Sequence, residues 1–427
     1  MAESLNQVIR YFSTYEAREE AFREQVCALI PRKHAGPDQF WRDFGTFSKN
    51  GFSENDIRPV AHITSNPRDC LAFGTPLQVL AAAKLCGSRV NGCAGIDVKA
   101  VADDFNLGGN LSQPVRTLSG GETVKLAIAK AYIAAGGSRK LVVASPFSWL
   151  SRANRHCFDK LYDRYRELDL PIDLLALDGE DSVEPVHFEE TPDMFCPRLL
   201  DFSISLKNVR IPLGALVDFS GNGQPVARVE NAELALASPC LFLGENGQGK
   251  SLVAKVFARA VQSRGSARIN RDCRSGSAAR LLFQDAISQT LLRPVDALVD
   301  GQTEALGIYR EIIADIPAPN DEVASSGSNG WKSLFDIKGA LVASRLVGRP
   351  AALILDEPDW GLSRKAAIAF VSAVIRSAHR RGVPVILISH KPWWLSIAGS
   401  TVQVNKIDGD ESAGFGIRLS PGRPEIP

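Results

Sequence analysis

The 427-residue sequence lacks several features that would narrow its function directly. Its eight cysteines (Cys27, Cys70, Cys86, Cys93, Cys157, Cys196, Cys240 and Cys273) include no C-x-x-C pair, and no histidine lies at ligand spacing beside two of them. That argues against a zinc ribbon or a disulfide framework and fits thiols kept in a reducing cytosol. Charge of one sign is not in excess: 49 Lys and Arg face 48 Asp and Glu, for a net charge of +1. No overall field therefore favours nucleic acid or an anionic lipid surface. Long hydrophobic runs are missing too. The longest apolar-rich stretch, residues 126–135, is broken by Lys130 and is shorter than a membrane span. The opening Met-Ala-Glu-Ser-Leu-Asn-Gln has no basic segment followed by an apolar run, so no signal peptide is expected. If the protein works at a membrane, another chain supplies the spans. What remains is an ordinary globular composition, 45% hydrophobic and 23% charged, long enough for two or three domains.

One stretch organises the rest. Residues 241–252 read Leu-Phe-Leu-Gly-Glu-Asn-Gly-Gln-Gly-Lys-Ser-Leu. Gly244, Glu245, Asn246, Gly247, Gln248, Gly249, Lys250 and Ser251 satisfy the phosphate-loop pattern G-x-x-x-x-G-K-[ST] without a departure. The apolar run before it predicts a buried strand, and residues from Leu252 to 261 have helical apolar spacing. Glycines let backbone N–H groups turn toward a phosphate, and the helix start adds partial positive charge. Lys250 can reach the outer phosphates, and Ser251 can ligate Mg²⁺.

The first sixty residues say little; the spacing predicts an amphipathic helix over 11–30. Residues 60–64 predict a strand, 75–85 a helix capped by Thr75 with Pro76 at its first position, and 98–105 another. Leu118-Ser-Gly-Gly-Glu122 then opens a helix rich in alanine. Taken alone, this is either an anion-binding helix start or a plain capped one. Residues 140–144 and 172–177 predict buried strands, with a helix over 152–168 between them. Residues 178–193 hold seven carboxylates and no Lys or Arg, which reads as a linker or as an acidic loop within one domain. Beyond it come further strands, the phosphate loop, a strand ending at Gln284, a helix over 331–347, a strand delivering Asp356-Glu357-Pro358, a helix over 364–381 and a strand ending at His390. The tail from Asp408 reads as peripheral.

The order phosphate loop, Gln284, Asp356-Glu357-Pro358, His390 resembles the ATP-binding cassette (ABC) ATPases over residues 202–405. The resemblance implies an α/β fold of two tandem P-loop cassettes, residues 1–197 and 198–427, the first truncated and degenerate. It implies ATP and Mg²⁺ as ligands. By resemblance Lys250 and Ser251 hold phosphates and metal, Gln284 touches Mg²⁺ and the attacking water, and Asp356 holds Mg²⁺ through water. Glu357 is the general base and His390 contacts the γ-phosphate. Phe219 is a candidate for stacking on adenine, with a plain core phenylalanine an equal reading.

The first half resembles the family with different parts kept. Ser119, Gly120, Gly121 and Glu122 belong to its signature motif. The strand that normally ends Asp-Glu-Pro ends here at Ala144-Ser145-Pro146, and Ser65 and Asp178 stand at the Gln-loop and histidine places. No phosphate loop precedes it, and the region upstream of Ser65 reads as too short for a full nucleotide-binding lobe. The second half has Leu334 and Phe335 where the signature glycines belong, and both halves lack the usual D-loop aspartate, having Ser151 and Ser363. In the family, cassettes pack head to tail and each ATP lies between one phosphate loop and the other signature. The resemblance thus implies one competent composite site and one dead one, paired within the chain, so a homo-oligomer is not required. It further implies a cytosolic ATPase subunit serving a separate membrane-spanning partner, since Asn66-Pro-Arg-Asp69 looks like importer and energy-coupling ATPases. Alternatives are an ABC ATPase acting on ribosomes or nucleic acid, which the short acidic linker and neutral charge disfavour, and a slow nucleotide-gated regulator.

Overall fold

The computed structural model describes residues 7–12, 15–26, 60–64, 71, 74–88, 95–115, 118, 120–138, 140–145, 155–177, 200–212, 226–245, 247–271, 278–284, 303–316, 334–407 and 414–422. They fall into two compact units. The first contains, in chain order, β1 (Gln7–Phe12), α1 (Tyr15–Val26), β2 (Val60–Ile63), α2 (Pro76–Ser88), α3 (Val98–Asp104), α4 (Gly120–Ala134), β3 (Lys140–Ala144), α5 (His156–Glu167) and β4 (Ile172–Leu177). Its four strands are all parallel, in the order β1-β4-β3-β2. Thr75 and Gln78 cap α2 reciprocally: each side chain accepts from the other's backbone N–H, at 3.4 and 3.0 Å.

The second unit contains β5 (Leu200–Pro212), β6 (Val226–Val229), β7 (Ala232–Ser238), β8 (Cys240–Leu243), α6 (Lys250–Phe257), β9 (Arg264–Asn270), β10 (Arg280–Leu282), α7 (Thr303–Ala314), α8 (Leu334–Leu346), β11 (Leu353–Asp356), α9 (Arg364–Arg380), β12 (Val385–Ile388), β13 (Ser400–Ile407) and β14 (Gly414–Pro421). One sheet runs β10-β11-β12-β8-β13-β14-β6-β5-β7, with β9 also on β5. Strands β11 and β12 are buried at every position, as continuous apolar runs in a covered parallel sheet must be. Ser363 caps α9 by accepting from the Ala366 N–H at 3.4 Å.

The order β10-β11-β12-β8 in the second unit repeats β2-β3-β4-β1 in the first. Strand β1 and helix α1 are thus the counterparts of β8 and α6. This corrects one reading of the sequence. Tyr11 and Phe12 are strand rather than helix, because β1 pairs with β4 residue by residue, from Gln7 opposite Ile172 to Phe12 opposite Leu177. The segment upstream of Ser65 is also not wholly without structure: it supplies β1 and α1, short of the second unit's larger sheet. What it lacks is the loop: residues 244–249 separate β8 from α6, whereas only residues 13 and 14 separate β1 from α1.

The tail is not peripheral either. Strand β14 lies inside the sheet between β13 and β6, and Ile417 is fully buried beneath the phosphate loop. Gly414 and Gly416 dilute its apolar pattern, so only its pairing reveals it. Among the described residues, no helix is long and apolar enough to cross a membrane.

Candidate nucleotide site

Strand β8 delivers the chain to Gly244, and α6 begins at Lys250, so the first free N–H groups of that helix face the loop. Gly244 has φ +153°, and a Cβ there would lie 2.4 Å from the carbonyl oxygen of Val404 on β13. Gly247, with φ +83°, has nothing within 4 Å of the same position. The near end of the loop is wedged against the sheet and its crest is open.

Lys250 is buried, and its Nζ donates to the loop's own carbonyls, Gly244 at 2.6 Å and Glu245 at 3.0 Å. Burial lowers its pKa, against the pull of Glu357, Asp356 and Glu245. The cation is held by groups that phosphate oxygens can replace. Ser251 Oγ donates to Asp356 Oδ1 at 3.1 Å. Burial first, then the neighbouring Glu357, pushes the Asp356 carboxyl up to about 6. A hydroxyl and a carboxylate short of positive charge suit a hard cation, and the pair fits Mg²⁺. Among the described residues no cluster of three or more His, Cys, Asp or Glu could hold a metal. Phosphate oxygens and water would have to complete the shell, as is usual for Mg²⁺ at nucleotides.

Glu357 sits just past β11 at φ +46°, its N–H donating to the Ile388 carbonyl at 2.8 Å. One carboxylate oxygen, Oε1, lies 2.9 Å from His390 Nδ1, and the other, Oε2, accepts from Ser389 Oγ at 3.2 Å. His390 Nε2 is buried without a hydrogen-bond partner. Gln284 follows β10 by two residues, at the edge of the sheet where β11 delivers Asp356. Gln248 accepts from the Lys406 N–H through its Oε1, tying the loop to β13. Leu252 packs partly buried against the core of the second unit. Asn246, Phe219 and Ser119 lie outside the described residues. Gly120, Gly121 and Glu122 form the first turn of α4 in the first unit.

No protein-family model matches the chain. Among curated proteins it is 26% identical over 176 residues to the energy-coupling factor transporter ATP-binding protein EcfA2 of Lactococcus lactis subsp. lactis (strain IL1403), covering 37% of this chain and 61% of that one. It is 28% identical over 177 residues to the aliphatic sulfonates import ATP-binding protein SsuB 2 of Xanthomonas axonopodis pv. citri (strain 306), covering 39% and 57%. The match thus spans about three-fifths of those relatives. Among solved structures, one titled as a model of ribosome-bound archaeal Pelota and ABCE1 superposes with a TM-score of 0.57 at 13% identity, over 97% of this chain and 75% of that one. This chain resembles the ABC ATPases and has their tandem fold. Its two units are two cassettes.

Compared position by position, the cassettes explain each other. Ser145, at the end of β3, has φ +54° and donates its N–H to the Leu175 carbonyl at 2.9 Å. Glu357 makes the same bend and the equivalent bond, so the first cassette has a serine on the backbone that carries a carboxylate in the second. Arg18, fully buried on α1, donates to Ser145 Oγ and pairs with Glu19 at 3.2 Å. A cation of the protein itself therefore reaches the end of β3. In the second cassette α8 begins at Leu334, and Phe335 packs edge-on against Phe370 at 5.5 Å.

Sequence reasoning missed Arg18, Ser389, Asp359, Lys391 and Lys338. Asp359 and Lys391 form an ion pair at 3.3 Å, and Lys338 on α8 donates to the carbonyls of Pro358 and Trp360 at 2.7 and 2.6 Å. Burial raises the Asp359 carboxyl, but Lys391, then His390 and Lys338, hold it below the usual carboxylate range. Ser389 and Lys391 flank His390 in sequence, which is a signal. A lysine within a helix such as α8 gives none.

Proposed function

We propose that the chain is an ATP-hydrolysing ABC ATPase with one competent composite site. The phosphate loop, Asp356, Glu357 and His390 come from the second cassette, and Ser119-Gly120-Gly121 comes from the first. The observation that carries this reading is the complementarity of the losses. The first cassette has no loop, and Ser145 replaces its carboxylate; the second has both, but has Leu334 and Phe335 at its signature.

The chemistry follows from the residues. Loop N–H groups and Lys250 bind and orient the β- and γ-phosphates of ATP. Ser251 and Asp356 hold Mg²⁺, which supplies neutralisation of phosphate charge when bound. Glu357 orients a water and accepts its proton, and His390 presents its open Nε2 toward the γ-phosphate. Glycines at the signature let backbone approach phosphate where side chains would not. By its likeness to transporter and import ATP-binding proteins, the chain would use ATP-driven opening and closing to drive a separate membrane-spanning partner from the cytosolic face. A second reading, with the ribosome as partner, is favoured by one observation, the chain-long likeness to the ABCE1-containing structure.

Two substitutions test the composite site. Lys250→Ala and Gly120→Asp, each made alone, are expected to abolish ATPase activity in the purified chain. Turnover untouched by Gly120→Asp would overturn the composite reading. Co-purification separates the partners: a membrane protein retained from solubilised membranes supports the transporter, and co-sedimentation with ribosomes supports the second reading.

A further inference from the structure

Glu357 and His390 are tied together a second time, behind the carboxylate. The Lys391 N–H donates to Ser389 Oγ at 3.1 Å, and that hydroxyl donates in turn to Glu357 Oε2 at 3.2 Å. The Lys391 side chain turns back to Asp359, two residues past Glu357, with both charged groups buried. Its Nζ also sits 4.2 Å from the centroid of Trp393, which is fully buried. Lys338 grips the carbonyls on either side of Asp359. The result is a closed ring: Glu357 through the backbone to Asp359, across the ion pair to Lys391, back through Ser389 and His390 to the two oxygens of Glu357.

Such a ring suits a residue that has to be held against its own backbone. Glu357 has a left-handed φ of +46°, a conformation that costs a non-glycine residue about 1 kcal/mol or more. A buried ion pair adds little net stability over an apolar pair of the same size, so its presence here calls for another role.

We propose that Asp359 and Lys391 are positioning residues for the general base. They hold the segment after β11 to the segment after β12, so that Ser389 and His390 meet both oxygens of Glu357. This rests on the assignment of Glu357 as the base. The contacts that tie the pair run between the two side chains, to Ser389 and to Trp393, all behind Glu357, so the clamp is expected to act on turnover and not on nucleotide binding.

The experiment uses the full chain with Lys391→Met, Lys391→Arg, and the double variant Lys391→Met with Asp359→Asn. The double variant removes both partners of the ion pair together, so neither Asp359 nor Lys391 is left as a lone charge, and Lys338 keeps its two carbonyl bonds. Displacing a base by an ångström costs on the order of 100-fold in rate. The expected result is a kcat lower by about that factor in Lys391→Met and in the double variant, with KM and the affinity for a fluorescent ATP analogue within about twofold of wild type. Lys391→Arg restores most of the rate. A folded Lys391→Met or double variant with wild-type kcat overturns the proposal, and so do kcat and nucleotide affinity falling together. Nitrogen NMR of isotope-labelled histidine separates this from the ATPase reading itself. The His390 signal, identified by its loss in His390→Gln, should move in Lys391→Met and return in Lys391→Arg. An unmoved signal sinks the clamp; a wild-type chain without turnover sinks the ATPase assignment and leaves the NMR result to judge the clamp alone.

Discussion

Gly244→Ala and Gly247→Ala form a paired perturbation of one loop with opposite expected profiles. Both glycines have positive φ, so each alanine meets a backbone cost of about 1–2 kcal/mol. At Gly247 the added methyl meets nothing within 4 Å. At Gly244 it meets the Val404 carbonyl oxygen at 2.4 Å, backbone to backbone, on a strand paired on both sides by β8 and β14. Nothing flexible can yield, and overpacking of this kind adds about 1–3 kcal/mol. Gly244→Ala should therefore lose about 2–5 kcal/mol, and Gly247→Ala about 1–2. Urea unfolding reports this directly through tryptophan fluorescence, since Trp360, Trp393 and Trp394 are all buried in the second cassette. Nucleotide binding should rank in reverse among the folded chains. On the proposed function, phosphate approaches through the open space over Gly247, so Gly247→Ala should weaken a fluorescent ATP analogue about tenfold or more despite its small stability loss. Equal unfolding midpoints for the two variants would refute the wedge at β13. Full nucleotide affinity in Gly247→Ala would refute the open crest as the phosphate cradle.

Other expectations concern single residues. Glu357→Gln should bind MgATP and retain it while losing turnover, checked by phosphate release against retained nucleotide; normal release removes Glu357 from the base role. Arg18→Met should destabilise the first cassette by about 2 kcal/mol, through loss of the charge-assisted bond to Ser145, read by faster hydrogen exchange in β1 and β3. Unchanged exchange would show that the buried guanidinium is not holding those strands. His379 on α9 faces Ser238 Oγ at 2.8 Å, and burial lowers its pKa to about 4. The unfolded chain takes up that proton first, near 6.5, so the stability is complete above that pH and declines as pH falls toward 4. Thermal melts across that window should show a smaller decline in His379→Gln than in wild type.

The phosphate loop, Asp356-Glu357 and His390 were legible because each is bound to a local backbone requirement. Glycines are needed where the chain turns against β13 and where phosphate approaches, and apolar runs are needed for strands covered on both faces. Those demands act within a few residues, so they are written in order along the chain. Strands β1 and β14 were not legible in the same way. Tyr11 and Phe12 suit helix and strand alike, and pairing with β4 decided; the Gly-Phe-Gly-Ile-Arg-Leu of β14 has no strong period until β13 and β6 flank it. The same holds for the buried cations. Arg18, Lys338 and Lys391 carry side chains that usually face water, and nothing in their neighbours along the chain says which distant groups they pair with. Their partners lie 127, 20 and 32 residues away, at Ser145, Pro358 and Asp359. Sequence by itself determined which residues could do the chemistry of phosphate. Only the tertiary structure decided which charges back them, because a buried ion needs counter-groups that the chain brings together only by folding.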